Sequence, residues 1–275
     1  MHIVLDKTIV LIRGAGEIAS AVACTLQRCG FKVILTELAD PLAIRRTVSF
    51  SDAVRMGQAE VEKIQARFAR EQDLDQHFSK GVIPVLLDEN IRIADMDLTV
   101  LVDARIQKKV QPDMRHLAPL TIGLGPGFTA QKNCHLVIET QRGHNLGKIL
   151  EKGSAAADTG IPGDLGGETI RRVIRAPAAG TVEWQVDFGD LVTAEQELGC
   201  IGGQPVPSQL DGVVRGLIAP GSHVRKGMKI ADVDPRGAAV DSYSISDKSR
   251  ALGRAVLEAI LADKSEGGII LKQVE

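Results

Sequence analysis

The stretch "TIVLIRGAGEIASAVACTLQRCGFKVILTE", residues 8–37, constrains the fold of this 275-residue chain more than any other. An aliphatic, β-type run at 8–12 leads directly into Gly14-Ala15-Gly16, after which Ile18, Val22 and Leu26 recur at helical spacing. Gly30 closes that helix as a C-terminal cap would, and a second β-type run, 31–37, starts at once. Strand, helix and strand in so short a span imply a crossover within a parallel sheet. At the turn, Gly14, Gly16 and Ala19 make the pattern G-x-G-x-x-A. The first glycine permits the tight turn, the second lets the backbone approach a pyrophosphate, and the small third residue lets helix and strand pack closely. Glu37 ends the second strand about twenty residues later, where an acid accepts hydrogen bonds from a ribose diol. These residues point to a dinucleotide-binding type of architecture; the alternative is a core that keeps the turn and holds no ligand.

Further β-type runs at 82–88, 98–104, 119–125 and 135–140, with helical pieces inside 41–56 and 69–78, continue the α/β pattern. Ligands of open α/β sheets collect outside the carboxyl ends of the strands, so residues at those ends become the candidates. Arg13 directly precedes Gly14, placed either to pair an anion or to face solvent. Asp103 follows "LTVLV" and Arg105 lies two residues on. Gly125 and Gly127, in "GLGPGFT", allow close backbone approach to a ligand or simply positive φ angles. Arg142 and His144 lie on the loop "ETQRGHNLG", His144 as a substrate-binding or proton-transfer group or as a solvated histidine. Asp103 and His144 are the two residues to weigh for a catalytic role. Arg45 and Arg46, followed by hydroxyls at Thr47, Ser49 and Ser51, suit phosphate, or a surface helix with no ligand.

A metal site is not expected: His135 and Glu139 would face one side of a strand but stand roughly 13 Å apart along it, too far for one ion. Cys24, Cys29, Cys134 and Cys200 form no C-x-x-C pair, which suits free thiols in a reducing compartment.

The second half of the chain contains an internal repeat. Gly180, Val182, Gly189, Val192, Leu198 and Ile201 match Gly212, Val214, Gly221, Val224, Ile230 and Val233, all at the offset of 212 against 180, or 32 residues. Repeated turn glycines with apolar residues in step imply two β-units that bury their faces against each other. The pattern resembles the biotinyl/lipoyl fold, whose modified lysine sits on the hairpin between the halves. Here that hairpin, 202–212, holds no lysine, and none occurs between Lys152 and Lys226, so neither biotin nor lipoate is expected.

A formal net charge of -2 and a pI near 6.3 give no field for polyanions, and 3% aromatic residues leave little for stacking bases; no nucleic acid is expected. With no basic leader segment and no run of about eighteen apolar residues, the reading is a soluble, cytoplasmic protein without a membrane partner. The glycine-rich stretch 153–167 reads as the end of a first domain. The expected organisation is α/β: a Rossmann-like parallel-sheet domain at 1–168, a small all-β biotinyl/lipoyl-like module of barrel-sandwich type at 169–237, and a C-terminal helix and tail at 238–275. That helix has Ser246 or Asp247 as cap and Leu252, Val256, Ala259 and Ile260 as its stripe.

Over most of its length the chain resembles the YqeB family, bacterial accessory proteins associated with selenium-dependent molybdenum hydroxylases. The strings that carry the resemblance are "RGAGEIASAVACTLQRCGFKVILTELADPLAIRRTVSFSDAV", "LAPLTIGLGPGFTAQKNCHLVIETQRGHNLG", "DTGIPG" and "IADVDPR". The first domain is also similar to the nucleotide-binding half of the XdhC proteins. The resemblance implies a role in maturing or inserting the molybdenum cofactor, with the hydroxylase or its maturation proteins as partners. A molybdopterin dinucleotide carries a pyrophosphate and a ribose, so Gly14, Gly16, Ala19 and Glu37 suit it as well as NAD, with Arg45 and Arg46 as phosphate-binding candidates and Gly125, Gly127, Arg142 and His144 toward the pterin end. Two rival readings stand beside it, an NAD-dependent oxidoreductase and a non-catalytic scaffold with an empty nucleotide fold; a homo-oligomer is compatible with all three.

Overall fold

The structure is a computed structural model and describes residues 8–88 and 92–263. The chain divides into two compact units: one takes in the residues up to Pro41, Ser49–Asp158 and those from Ile245 on, the other Leu42–Val48 with Thr159–Ser244. Three consecutive pieces bounded at 168 and 237 thus become two discontinuous units, and the C-terminal helix belongs to the first.

The first unit is α/β. Its strands are β1 (Ile9–Arg13), β2 (Lys32–Glu37), β3 (Gln58–Val61), β4 (Ile64–Phe68), β5 (Ile83–Leu87), β6 (Val100–Asp103), β7 (Leu120–Leu124), β8 (Thr129–Ala130), β9 (Leu136–Ile138), β10 (Ile149–Leu150) and β11 (Gly153–Ser154). Nine of them form one sheet in the order β10-β9-β7-β6-β1-β2-β5-β4-β3, parallel except for the outer pairs β3–β4 and β9–β10. β8 and β11 make a separate antiparallel pair. In register, Val10 lies between Val33 of β2 and Val100 of β6. Val10, Leu11 and Ile12 are fully buried, as both faces of a parallel sheet require.

Among the described residues, four α-helices complete the unit: α1 (Glu17–Arg28), α2 (Ala53–Met56), α3 (Leu74–Ser79) and α4 (Asp247–Leu261). Leu11, Ile34, Leu101 and Val137 of one sheet face pack with Leu74 and Phe78 of α3 and with Met114, Ala118 and Phe128 from the connections. α1 and α4 pack on each other, outside that cluster. Their contact is close because Gly253 has no side chain: a Cβ there would meet Thr25 Oγ1 at 2.6 Å and the Ala21 carbonyl at 2.9 Å. α1 ends at Gly30, φ +89°, with Phe31 N donating to Leu26 O and Gly30 N to Gln27 O, so the expected glycine cap is a Schellman motif. Ser246 caps α4, its Oγ accepting from Ser249 N at 3.3 Å.

The β3–β4 hairpin has no counterpart in the sequence reading. Its turn residues Glu62 and Lys63 take φ +47° and +69° without a glycine or asparagine, so the usual turn signal is missing. The helical piece expected in 41–56 is two 3-10 turns and the short α2.

The second unit is antiparallel β: β12 (Val173–Arg175), β13 (Gly180–Trp184), β14 (Leu191–Val192), β15 (Glu197–Ile201), β16 (Gln204–Pro207), β17 (Gly212–Leu217), β18 (His223–Val224) and β19 (Lys229–Asp234). β13, β14 and β15 recur one repeat later as β17, β18 and β19. The two four-stranded sheets, β12-β19-β17-β14 and β16-β15-β13-β18, each borrow a short strand from the other half, so the halves interlock. Val182, Leu198 and Ile201 pack with Val214, Ile230 and Val233 in one core. Apart from that apolar core, Asp232 and Asp234 are buried in a ladder with Arg172, Arg215 and Arg236.

Candidate functional site

From β1 the chain runs through α1 to β2 on one side, while β6 enters on the other, so the sheet order reverses at β1. The crevice outside the carboxyl ends of β1 and β6 is where an open α/β sheet gathers ligands. Gly14, Gly16, Ala19 and Asp103 all fall there. Gly14 takes φ +98°, closed to most side chains, and its N–H donates to Thr36 O at 3.0 Å. A Cβ on Gly14 would meet the Arg105 stem at 3.2 Å, so this glycine also makes room for an arginine over the turn. Gly16 is the N-cap of α1 with an extended backbone, and a Cβ there would find nothing within 4 Å. Ala19 is buried against the turn, as its place in the pattern requires. Ser20 locks the loop, its Oγ donating to Ala15 O at 3.0 Å and accepting from Phe50 N at 2.8 Å.

Glu37 reaches the same turn. Its Oε2 accepts from Ala15 N at 3.2 Å and its Oε1 from Leu38 N at 2.8 Å. Burial raises its pKa above the usual carboxylate range, and those two N–H donors offset only part of the shift.

Among the described residues, four charged side chains beside the turn form a ring. Asp88, at the end of β5, accepts from Arg13 Nη2 at 2.9 Å and from Thr36 Oγ1 at 2.9 Å. Asp103, 2% exposed, takes Arg105 Nε at 3.1 Å and Nη2 at 2.5 Å. Arg13 approaches Asp103 at 4.0 Å and Arg105 approaches Asp88 at 3.9 Å, closing an alternating ring. Burial works against the Asp88 carboxylate, but the hydrogen bond and charge of Arg13, then Thr36 and Arg105, hold its pKa below the ordinary value. Both guanidinium side chains keep 25% of their surface exposed beside Gly14 and Gly16. Arg13 therefore pairs with acids inside the crevice, and the edge offers two forked cations and open backbone at a helix N-terminus. Such a surface has the chemistry that suits a phosphate or pyrophosphate.

The remaining candidates make contacts of their own. Gly125 (φ +90°) turns the chain after β7, and a Cβ on it would press on Thr140 Oγ1 at 3.2 Å. A Cβ on Gly127 would lie 2.7 Å from the carbonyls of Gln107 and Lys109, so its close approach is to the chain's own backbone. Arg142 forms a bidentate pair with Asp247 at 2.6 and 2.8 Å, tying its loop to the start of α4. His144 is exposed on that loop. Glu139 is buried and accepts from Gln141 N and Ala156 N; the His135 Nδ1 accepts from Thr121 N. Arg45 and Arg46 belong to the second unit, Arg45 donating to Ser244 O at 3.2 Å and Arg46 lying 5.8 Å over the Phe188 ring.

Sequence reasoning passed over Asp88, Thr36 and Glu17. Asp88 ends "VIPVLLD" as Asp103 ends "LTVLVD", and that parallel was the available signal. Glu17, the residue after Gly16, accepts from Ser246 N at 3.3 Å and Ser249 Oγ at 3.1 Å, bringing the N-terminus of α4 beside that of α1.

The chain is a homologue of the protein named "Uncharacterized protein YqeB" from Escherichia coli (strain K12), 45% identical over 268 residues. The match takes in 97% of this chain and 50% of that protein, so the chain spans about half the length of the curated relative it matches. No protein-family model matches. Among solved structures, an aspartoacylase family protein from Mesorhizobium loti covers 82% of this chain and 84% of its own at 10% identity and TM-score 0.27. The ectoine utilization protein EutE (DoeB) from Ruegeria pomeroyi covers 82% and 85% at 13% identity and TM-score 0.26. Likeness at that level carries no argument about fold or chemistry. Among the described residues, no helix is long and apolar enough to cross a membrane.

Proposed function

We propose that this chain binds a pyrophosphate-containing nucleotide at the carboxyl edge of its parallel sheet and acts as an accessory protein in the maturation of selenium-dependent molybdenum hydroxylases. The observation that carries the binding reading is the open space at Gly16 on the N-terminus of α1, at the strand-order reversal and beside Arg13 and Arg105. In this reading Gly16 and the first turn of α1 face the pyrophosphate, Arg13 and Arg105 neutralise it, and Glu37 turns from Ala15 N to the ribose. The first unit is then a Rossmann-like binding domain. The interlocked β-unit is of biotinyl/lipoyl type without a carrier arm, since 202–212 holds no lysine.

The molybdenum role rests on the resemblance to YqeB proteins, and a molybdopterin dinucleotide is the cargo it names. Mass spectrometry of small molecules released from the purified protein separates a pterin dinucleotide, NAD and no ligand. A deletion strain should make the hydroxylase polypeptide in inactive form. Full hydroxylase activity with normal metal content in that strain would sink the maturation role.

A further inference from the structure

One lysine of the first unit is unexplained by packing. On α4 the buried residues Leu252, Ala255 and Ala259 form one stripe, and stepping back one turn from Leu252 along it gives Lys248. Lysine thus stands where the stripe calls for an apolar residue, in the first turn of a helix, where the partial positive charge already disfavours a cation.

Two anchors fix where that first turn lies. Ser246 and Ser249 hold Glu17, which follows Gly16 directly, and Asp247 holds Arg142 from the loop that follows β9. The N-terminus of α4 therefore stands on the same carboxyl edge as the glycine turn. Helical side chains lean toward the helix N-terminus, which for Lys248 is the end of α4 held to Glu17.

The charged groups around its ammonium come from each neighbouring segment: Glu17 of α1, Glu139 and Arg142 from the end of β9 and its loop, and Asp247 of α4 itself. Burial, then Arg142, lowers the lysine pKa, and the three carboxylates oppose the shift only in part. Those carboxylates are already engaged: Glu17 with the two serines, Glu139 with two backbone N–H groups, Asp247 with Arg142. Burial, the helix N-terminus and Arg142 thus all weigh against this half-buried cation, and the acids that favour it are bound to other groups as well.

We propose that Lys248 is the third cation of the anion site, its ammonium contacting the phosphate that lies against Gly16 and the start of α1. The inference deepens the nucleotide reading and rests on it. It assigns the site three cationic contacts, two forked from Arg13 and Arg105 and one point charge from α4, and so a ligand with at least two anionic phosphate groups.

The test uses the full chain and isothermal titration with NAD and with inorganic pyrophosphate. Lys248→Met should weaken both ligands roughly tenfold to a hundredfold, the loss of one charge-assisted contact, and flatten the salt dependence. Lys248→Arg should restore part of the affinity. As a readout that a purely structural lysine would not move, the pH titration of reductively ¹³C-methylated Lys248, followed by NMR, should shift upward when pyrophosphate is added. If the wild type binds and Lys248→Met binds equally well, or the Lys248 titration ignores pyrophosphate, the inference is overturned while the nucleotide reading stands. If the wild type binds neither ligand, the nucleotide reading falls and takes the inference with it.

Discussion

Removing the Arg105 guanidinium tests whether the ionic ring is a working part of the sheet edge. Asp103 is 2% exposed and receives Nε and Nη2 of Arg105, while its next cation, Arg13, stands at 4.0 Å. Arg105→Met therefore strands a buried carboxylate. Breaking a fully buried pair costs about 3–5 kcal/mol; because Arg105 is a quarter exposed and the Arg105 backbone N–H stays on Asp103 Oδ1, about 2–3 kcal/mol is expected here. For a domain of this size that lowers Tm by roughly 5–10 °C. Asp103→Asn should cost less, about 1–2 kcal/mol, since the cation it leaves can turn toward water. The double variant should be more stable than the sum of the two losses by roughly 1–2 kcal/mol. Circular dichroism melts of the four proteins close the cycle. A loss below about 0.5 kcal/mol for Arg105→Met, or strict additivity, would refute the claim that the pair is coupled.

Other outcomes follow from single contacts. Gly123→Ala should be severely destabilising, by about 3 kcal/mol or more, because a Cβ there falls 2.1 Å from the Phe128 ring; a soluble variant with native Tm would contradict the packing. Glu37 has a folded-state pKa above its unfolded value, so the protein should gain stability as pH falls from neutral through that value. Glu37→Gln should melt higher than wild type near pH 7 and lose that part of the pH dependence. For Glu62, burial raises the pKa, but hydrogen bonds from Arg250, Arg28 and Ile245 N bring it below the usual carboxylate range. Its contribution is then complete above about pH 5 and lost as pH falls through the lowered value, and Glu62→Gln should remove about 1–2 kcal/mol at pH 7 and flatten the acid limb of the stability curve.

The glycine turn, α1, the Gly30 cap and the central strands were legible because each has a local cause: full burial, helical spacing, or a φ that only glycine tolerates. The interlocked repeat was legible for the same reason, as a fixed offset carries its turn glycines with it. Arg45 and Arg46 read in sequence as part of the first domain because seven residues of chain, Leu42–Val48, join the second unit before the first is complete, and nothing local marks that excursion. Gly127 reads in sequence like a ligand loop, yet its missing side chain accommodates the backbone of residues 107–109. Asp88 and Lys248 went unseen because their neighbours in space, Arg13 and Glu17, are remote in sequence.

The central claim is that the space at Gly16 belongs to a phosphate. Isothermal titration of NAD into the wild type and into Gly16→Ala tests it most directly, because a Cβ added at Gly16 meets nothing within 4 Å in the folded protein and its fold should survive. The account predicts binding by the wild type and loss of roughly tenfold or more in the variant, with Tm changed by only a few degrees. Equal binding by both proteins would show that the ligand lies elsewhere.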